Sequence, residues 1–151
     1  MNAQLIDAES GAHVWADRFD TNRTHLAEAQ SEITGRLARM LNLELERDAH
    51  RSTAHYAMGI LRRDQNRLAE ARIEFETAIA LDRNNNGALR QLGLVSIYLG
   101  EPETGVPYIE KDIRLNPNDP FIAISYWGLG AGHLFLGHVD QAIDFLKRAR
   151  A

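Results

Sequence analysis

A set of residues recurs along this chain at a spacing of 34: Gly59 and Gly93, Ala71 and Gly105, Phe75 and Ile109, Leu81 and Leu115. A third, partial copy follows after three extra residues, with Gly130, Ala142, Leu146 and Ala149 in the equivalent places. Self-similarity at this period is the mark of stacked helix–turn–helix units that bury a shared core, and it constrains the fold more tightly than any single residue. The units read as about 52–85, 86–119 and 123–151, two full copies and a partial third.

Within these units, helices are expected at 53–63 and 67–81, 87–99 and 102–115, then 121–136 and 139–150. Turns fall at the breakers Asn84-Asn85-Asn86-Gly87 and Asn116-Pro117-Asn118-Asp119-Pro120, where Asp119 is placed to cap a helix that has Pro120 in its first turn. Two antiparallel helices approach closely only where side chains are small, so Gly59, Gly93 and Gly130 mark contact lines, with Phe75, Ile109 and Leu146 filling the space beside them. Asp112 breaks the pattern, because Ala78 and Ala149 hold its place in the other copies. Pro107 removes a backbone bond within its helix and predicts a kink.

Ahead of the repeats, residues 3–6 and 13–19 read as strands around a turn at 7–11, a β-hairpin within residues 1–20. A separate helix over about 24–47, within a linking segment 21–50, carries Leu26, Ile33, Leu37, Met40 and Leu41 on one stripe and would be about 36 Å long. The expected fold class is therefore an all-α helix–turn–helix solenoid preceded by a short β-hairpin and a long helix.

Composition narrows the function classes. With 44% hydrophobic and 25% charged residues and no apolar run long enough to span a bilayer, a water-soluble chain without a membrane segment is expected. The net charge of −4, with 17 basic residues and no basic stripe, argues against nucleic acid as a partner. The absence of cysteine excludes disulfides and thiolate metal sites. The first residues lack the basic and then apolar regions of a secretory signal, and a cytoplasmic setting is favoured.

Taken together, Gly59, Ala71, Phe75 and Ala78, then Leu92, Gly93, Gly100 and Pro117, then Leu129, Gly130, Gly137, Ala142 and Ala149 resemble the tetratricopeptide repeat family over about 52–151. His55, Leu89 and Tyr126 stand where the family usually has Trp. The segment QLIDAESGAHVWADRFD and the following EITGRLARMLNLEL resemble the closing hairpin and helix of the TolB-like domain that precedes such repeats in bacterial adenylate or guanylate cyclase-like proteins. That second resemblance implies a signalling setting whose chemistry resides in a domain outside this chain.

No catalytic, metal or cofactor constellation stands out. His50 and His55, like His133 and His138, are five apart and read as ordinary surface or half-buried residues. The run Gly128-Leu129-Gly130-Ala131-Gly132 lacks a preceding strand and reads as helix packing, not as a phosphate loop. Glu70, Glu74 and Glu76 beside Arg72 read as a solvated face.

The tetratricopeptide resemblance implies a concave groove lined by the first helix of each unit. Its register places Tyr56, Ile60 and Arg63, then Arg90, Leu94, Ile97 and Tyr98, then Trp127, Leu134 and Phe135 there. The expected function is a non-catalytic protein-interaction or scaffold module that binds a peptide or helix, with the aromatics as anchors and Arg63 or Arg90 pairing an acidic flank. Two alternatives stand beside it: a regulatory or dimerising region of a cyclase-like protein, and burial of the aromatics by the chain's own 24–47 helix. Self-association is a further way to cover the last helix pair.

Overall fold

The computed structural model describes residues 2–6, 13–18 and 26–150. They divide into two compact units, Met1–Glu46 and Arg47–Ala151. In the first unit, strands β1 (Asn2–Ile6) and β2 (His13–Arg18) pair antiparallel, with Leu5 opposite Trp15 and an irregularity in register after Leu5. The turn expected at 7–11 lies outside the described residues, as does Phe19. On the helix that follows, Ile33, Leu37 and Met40 are half-buried, while Leu41, Leu43 and Leu45 are exposed.

The second unit contains only helices among its described residues. The described residues of the whole chain include six helices: α1 (Leu26–Asp64), α2 (Leu68–Leu81), α3 (Asn86–Tyr98), α4 (Pro102–Leu115), α5 (Ile122–Phe135) and α6 (Val139–Arg148). This corrects the expected fold class at its N-terminal part. The fold is an all-α solenoid, and a short hairpin followed by a separate linking helix does not describe how it starts. The stretch expected to link and the first helix of the first repeat are one helix of 39 residues. The physical reason is that Arg47 to Thr53 contains no Gly or Pro. Asp48 pairs with Arg51 at 3.3 Å one turn on, and Thr53 Oγ1 donates to the Ala49 carbonyl at 3.0 Å, so side-chain bonds bridge the place where a break was expected.

From α2 onward the helices fall within a residue or two of their expected bounds, for local reasons. The crossing from first to second helix in each unit uses a left-handed residue at the same place: Asn66 (φ 59), Gly100 (φ 84) and Gly137 (φ 76). Glycine adopts that conformation without a Cβ penalty, and asparagine is the next most tolerant residue. Asn85 caps α3, accepting from the Ala88 N–H at 2.9 Å. Asp119 sits further from its helix than expected: α5 begins at Ile122, and the Asp119 carboxylate accepts from Phe121 N–H at 2.6 Å. α4 runs through Pro107 as one helix.

The expected contact lines are present. A Cβ on Gly59 would run into the Phe75 ring, on Gly93 into Ile109, and on Gly130 into Leu146. Each glycine therefore lets its partner helix close down on a large apolar side chain. Two core clusters result. Ala71, Phe75, Ala78, Ala88, Leu92 and Val95 fill the space around α2 and α3, and Leu94, Ile97, Val106, Ile109 and Leu129 that among α3, α4 and α5. Gly128 and Gly132 sit directly on Leu94 and Ile109 and on Val106 and Ile97, so the glycine run is a packing surface for α5.

Candidate functional site

The first helices of the three units, the C-terminal part of α1 with α3 and α5, carry the residues that repeat register assigns to a concave face. Their accessibility differs sharply. Tyr56, Ile60 and Arg63 on α1 are half-buried, with the Tyr56 ring 6.1 Å from that of Phe75 and packed on Gly87. Arg63 Nη1 donates to Gln91 Oε1 at 2.5 Å and Nη2 to Asp64 at 2.7 Å. On α3, Arg90, Leu94 and Ile97 are buried, the last two inside the second core cluster. Tyr98 (49% exposed), Trp127 (44%), Leu134 (57%) and Phe135 (70%) are open.

Repeat equivalence sorts the open residues into two kinds. Tyr98 and Phe135 occupy the same place in consecutive units, as does Asp64 in the first. Tyr98 stays exposed although α5 packs on the rest of α3, so this position points out of the stack even where the next unit is in place. Trp127 and Leu134 are equivalent to Arg90, which Asp112, Asp119 and Phe121 enclose, and to Ile97, on which Gly132 of α5 packs. They are open, and they lie at the α5–α6 pair. An apolar pocket of about 460 Å³ is found there, lined by Ala123, Ile124, Trp127, Leu146, Ala149 and Arg150.

Arg90 does not present its charge to the face. It is 6% exposed, donates to the Phe121 carbonyl at 3.0 Å and to Asp119 Oδ2 at 3.1 Å, and lies 3.9 Å from Asp112 Oδ2. Ser125 Oγ donates to the same Asp112 oxygen at 2.5 Å, while Asp112 Oδ1 has no partner. Burial pushes the Asp112 carboxyl above the usual carboxylate range, opposed by the bond from Ser125 and the charge of Arg90. Burial acts in the same direction at Asp119, but the Phe121 N–H and the Arg90 guanidinium outweigh it and hold this carboxyl below the usual range. The residue that broke the repeat pattern is thus one end of a buried ionic junction between the second and third units.

His133 and His138, expected to be ordinary surface or half-buried residues, meet across the α5–α6 turn. Their Nδ1 atoms are 3.3 Å apart, and the buried His133 ring stacks on Phe145 at 5.3 Å between centroids. Burial, with help from the neighbouring His138, lowers the His133 pKa. A base whose pKa is depressed in the fold contributes stability above its unfolded value, near about 6.5, and that stability is lost as pH falls toward the folded value. Urea unfolding of the wild type between pH 7 and pH 5 should therefore show declining stability, and His133→Gln should flatten that slope. An unchanged slope in the variant would place the titration elsewhere.

Other polar residues pair along the surface. His55 Nδ1 is 2.7 Å from Glu74 Oε2, Arg67 pairs with Glu70, and Arg72 reaches Glu101 of the next unit at 2.5 Å. Among the described residues no three histidine, aspartate or glutamate side chains converge as metal ligands, and no helix is long and apolar enough to cross a membrane. The arrangement offers an apolar surface.

Residues 52–85 match the family model described as "Tetratricopeptide repeat". Two solved structures titled as crystal structures of MamA are each 26% identical to this chain; one aligns over 65% of it with a TM-score of 0.57, the other over 68% with a TM-score of 0.59. The chain spans only 56% and 54% of their lengths. The N-terminal domain of stress-induced protein-1 (STI-1) from C. elegans is 17% identical, with a TM-score of 0.59 over 68% of this chain and 84% of its own, a likeness of fold alone. None of the curated proteins compared with the chain matches it. The repeat region is thus a tetratricopeptide-like helical solenoid, and the cyclase-like setting expected from the N-terminal segment is carried by none of these comparisons.

Proposed function

We propose that this chain is a non-catalytic protein-interaction module that holds an apolar peptide or amphipathic helix against the concave face of its repeats. One observation carries the reading: Tyr98 and Phe135 stand exposed at equivalent places on the first helices of consecutive units, and Tyr98 does so within a completed junction. Large aromatics contribute most of the binding energy at such surfaces because they cover much area for few rotatable bonds. Tetratricopeptide-like stacks present an extended concave surface of this kind. Ile60 and Tyr56 would continue the apolar floor toward the first unit, with Arg63 at its edge and Trp127 and Leu134 at the other end. Arg90, Leu94 and Ile97 would serve as the rigid layer beneath.

Peptides selected from a phage-displayed random library on the full chain supply the probe. Their affinity should fall at least tenfold in Tyr98→Ala/Phe135→Ala, which corresponds to about 1.4 kcal/mol, while the helical circular dichroism is retained. Undiminished binding by the folded variant would refute the groove.

A further inference from the structure

The His133–His138 pair has a use that neither packing nor the concave face absorbs. The two rings turn the same nitrogen toward each other, with the Nδ1 atoms 3.3 Å apart and the ring centroids 5.6 Å apart. As a direct hydrogen bond this is long, since N–H donors normally approach an acceptor to about 2.7–3.2 Å. It is, however, the separation of two donors on one tetrahedral ion. Bonds of about 2.0–2.1 Å at the tetrahedral angle put two nitrogens about 3.3–3.4 Å apart, whereas the right angle of square-planar or octahedral coordination brings them to about 2.8–3.0 Å.

The corner holds this geometry from both sides. Gly137, at φ 76, turns the chain so that residues five apart meet, and the His138 N–H donates to the His133 carbonyl at 2.8 Å. Phe145 on α6 stacks on the His133 ring and restrains its plane. His133 lies in the last turn of α5, where the helix dipole favours a cation, and the Glu110 carboxylate on α4 exerts its negative charge on the same ring. His133 is buried and His138 exposed, so an ion can arrive from solvent and keep water in its remaining positions. The same corner stays outside the stack in the second unit: Glu101, in the place of His138, is exposed although α5 packs on α3.

We infer that the α5–α6 corner binds one zinc ion through Nδ1 of His133 and Nδ1 of His138, with water completing a tetrahedral shell. Imidazole is among the usual ligands of zinc, whose filled d shell imposes no planar geometry. Magnesium and calcium take oxygen ligands and do not fit. Both rings enter neutral, each keeping its proton on Nε2. Among the described residues no third histidine or carboxylate converges there, so the ion is a clip across one turn held by two protein ligands.

Calorimetric titration of zinc chloride into the full chain, first stripped of metal with a chelator, tests this near neutral pH. The wild type should bind one equivalent of zinc, and magnesium chloride should give no binding heat. His133→Gln and His138→Gln should each raise the zinc dissociation constant about tenfold or more. His138 is exposed, so its variant keeps the helical signal and remains informative even if His133→Gln unfolds. His55→Gln, which removes the His55–Glu74 contact at 2.7 Å, should bind zinc as the wild type does, and so should Tyr98→Ala/Phe135→Ala, which separates this site from the groove. Cobalt(II) in place of zinc should develop the strong visible absorption of a tetrahedral ion, lost in His138→Gln. A wild type that binds no zinc, undiminished binding by the folded His138→Gln chain, a loss that follows His55→Gln instead, or only the weak absorption of octahedral cobalt would each overturn the inference.

Discussion

Arg90→Ala should destabilise the fold by about 3–5 kcal/mol, the cost of removing one partner from a buried charge cluster. The guanidinium reaches three groups at once: it meets Asp119 at 3.1 Å, the Phe121 carbonyl at 3.0 Å and Asp112 at 3.9 Å. Truncation leaves two carboxylates and a carbonyl facing a void, with the Asp112 Oδ1 already unpaired. The first junction shows what replaces the charges: Tyr56, Ala78 and Asn85 occupy the places of Arg90, Asp112 and Asp119. The triple variant Arg90→Tyr/Asp112→Ala/Asp119→Asn copies that junction and should recover most of the loss, because well-packed apolar groups commonly equal or exceed a buried ion pair. Urea unfolding of both variants at neutral pH is the measurement. A single-variant loss below about 1 kcal/mol would mean that the guanidinium is solvated and contributes no more than a surface pair does.

Gly105→Ala should cost about 3 kcal/mol, at the upper end for overpacking, although it adds a single methyl group. The new Cβ would lie 2.5 Å from the Gly93 carbonyl oxygen and 2.8 Å from Ile97 Cγ1. The first of these is backbone, which no rotamer change can move aside. α3 and α4 would have to separate along the line on which Ile109 and Ile97 are packed, loosening the second core cluster. The same substitution at Gly35, where the nearest atom to a Cβ is the far end of Arg39 at 3.9 Å, should not destabilise and serves as the control. Equal thermal melts for the two variants would refute the close approach.

Periodicity made the helices from α2 onward legible, and the pairing of each glycine with a large partner followed from it. It left the start of the stack illegible. A repeat boundary near Ser52 says where the pattern begins, whereas a helix ends only where the backbone is given a reason to end, and 47–53 offers none. The face proposed for binding was legible as a register and not as a surface. Tyr56, Arg90 and Trp127 are one position in three copies, and they emerge half-buried, buried and open because their neighbours differ from unit to unit. Asp112 was visible as an anomaly, but its partners Arg90 and Ser125 lie on two other helices and carry no spacing signal. The meeting of His133 and His138 depends on the turn at Gly137, which brings together residues that a continuous helix would hold apart.

The burial of Arg90 also sets the character of any encounter at the concave face. With that cation neutralised internally and Arg63 already bonded to Gln91 and Asp64, little free charge remains there to draw in a partner from a distance. Association should proceed without electrostatic steering, at about 10⁵–10⁶ M⁻¹s⁻¹, and change little with ionic strength. Selectivity among partners would then be decided by how long each complex lasts, not by how quickly it forms.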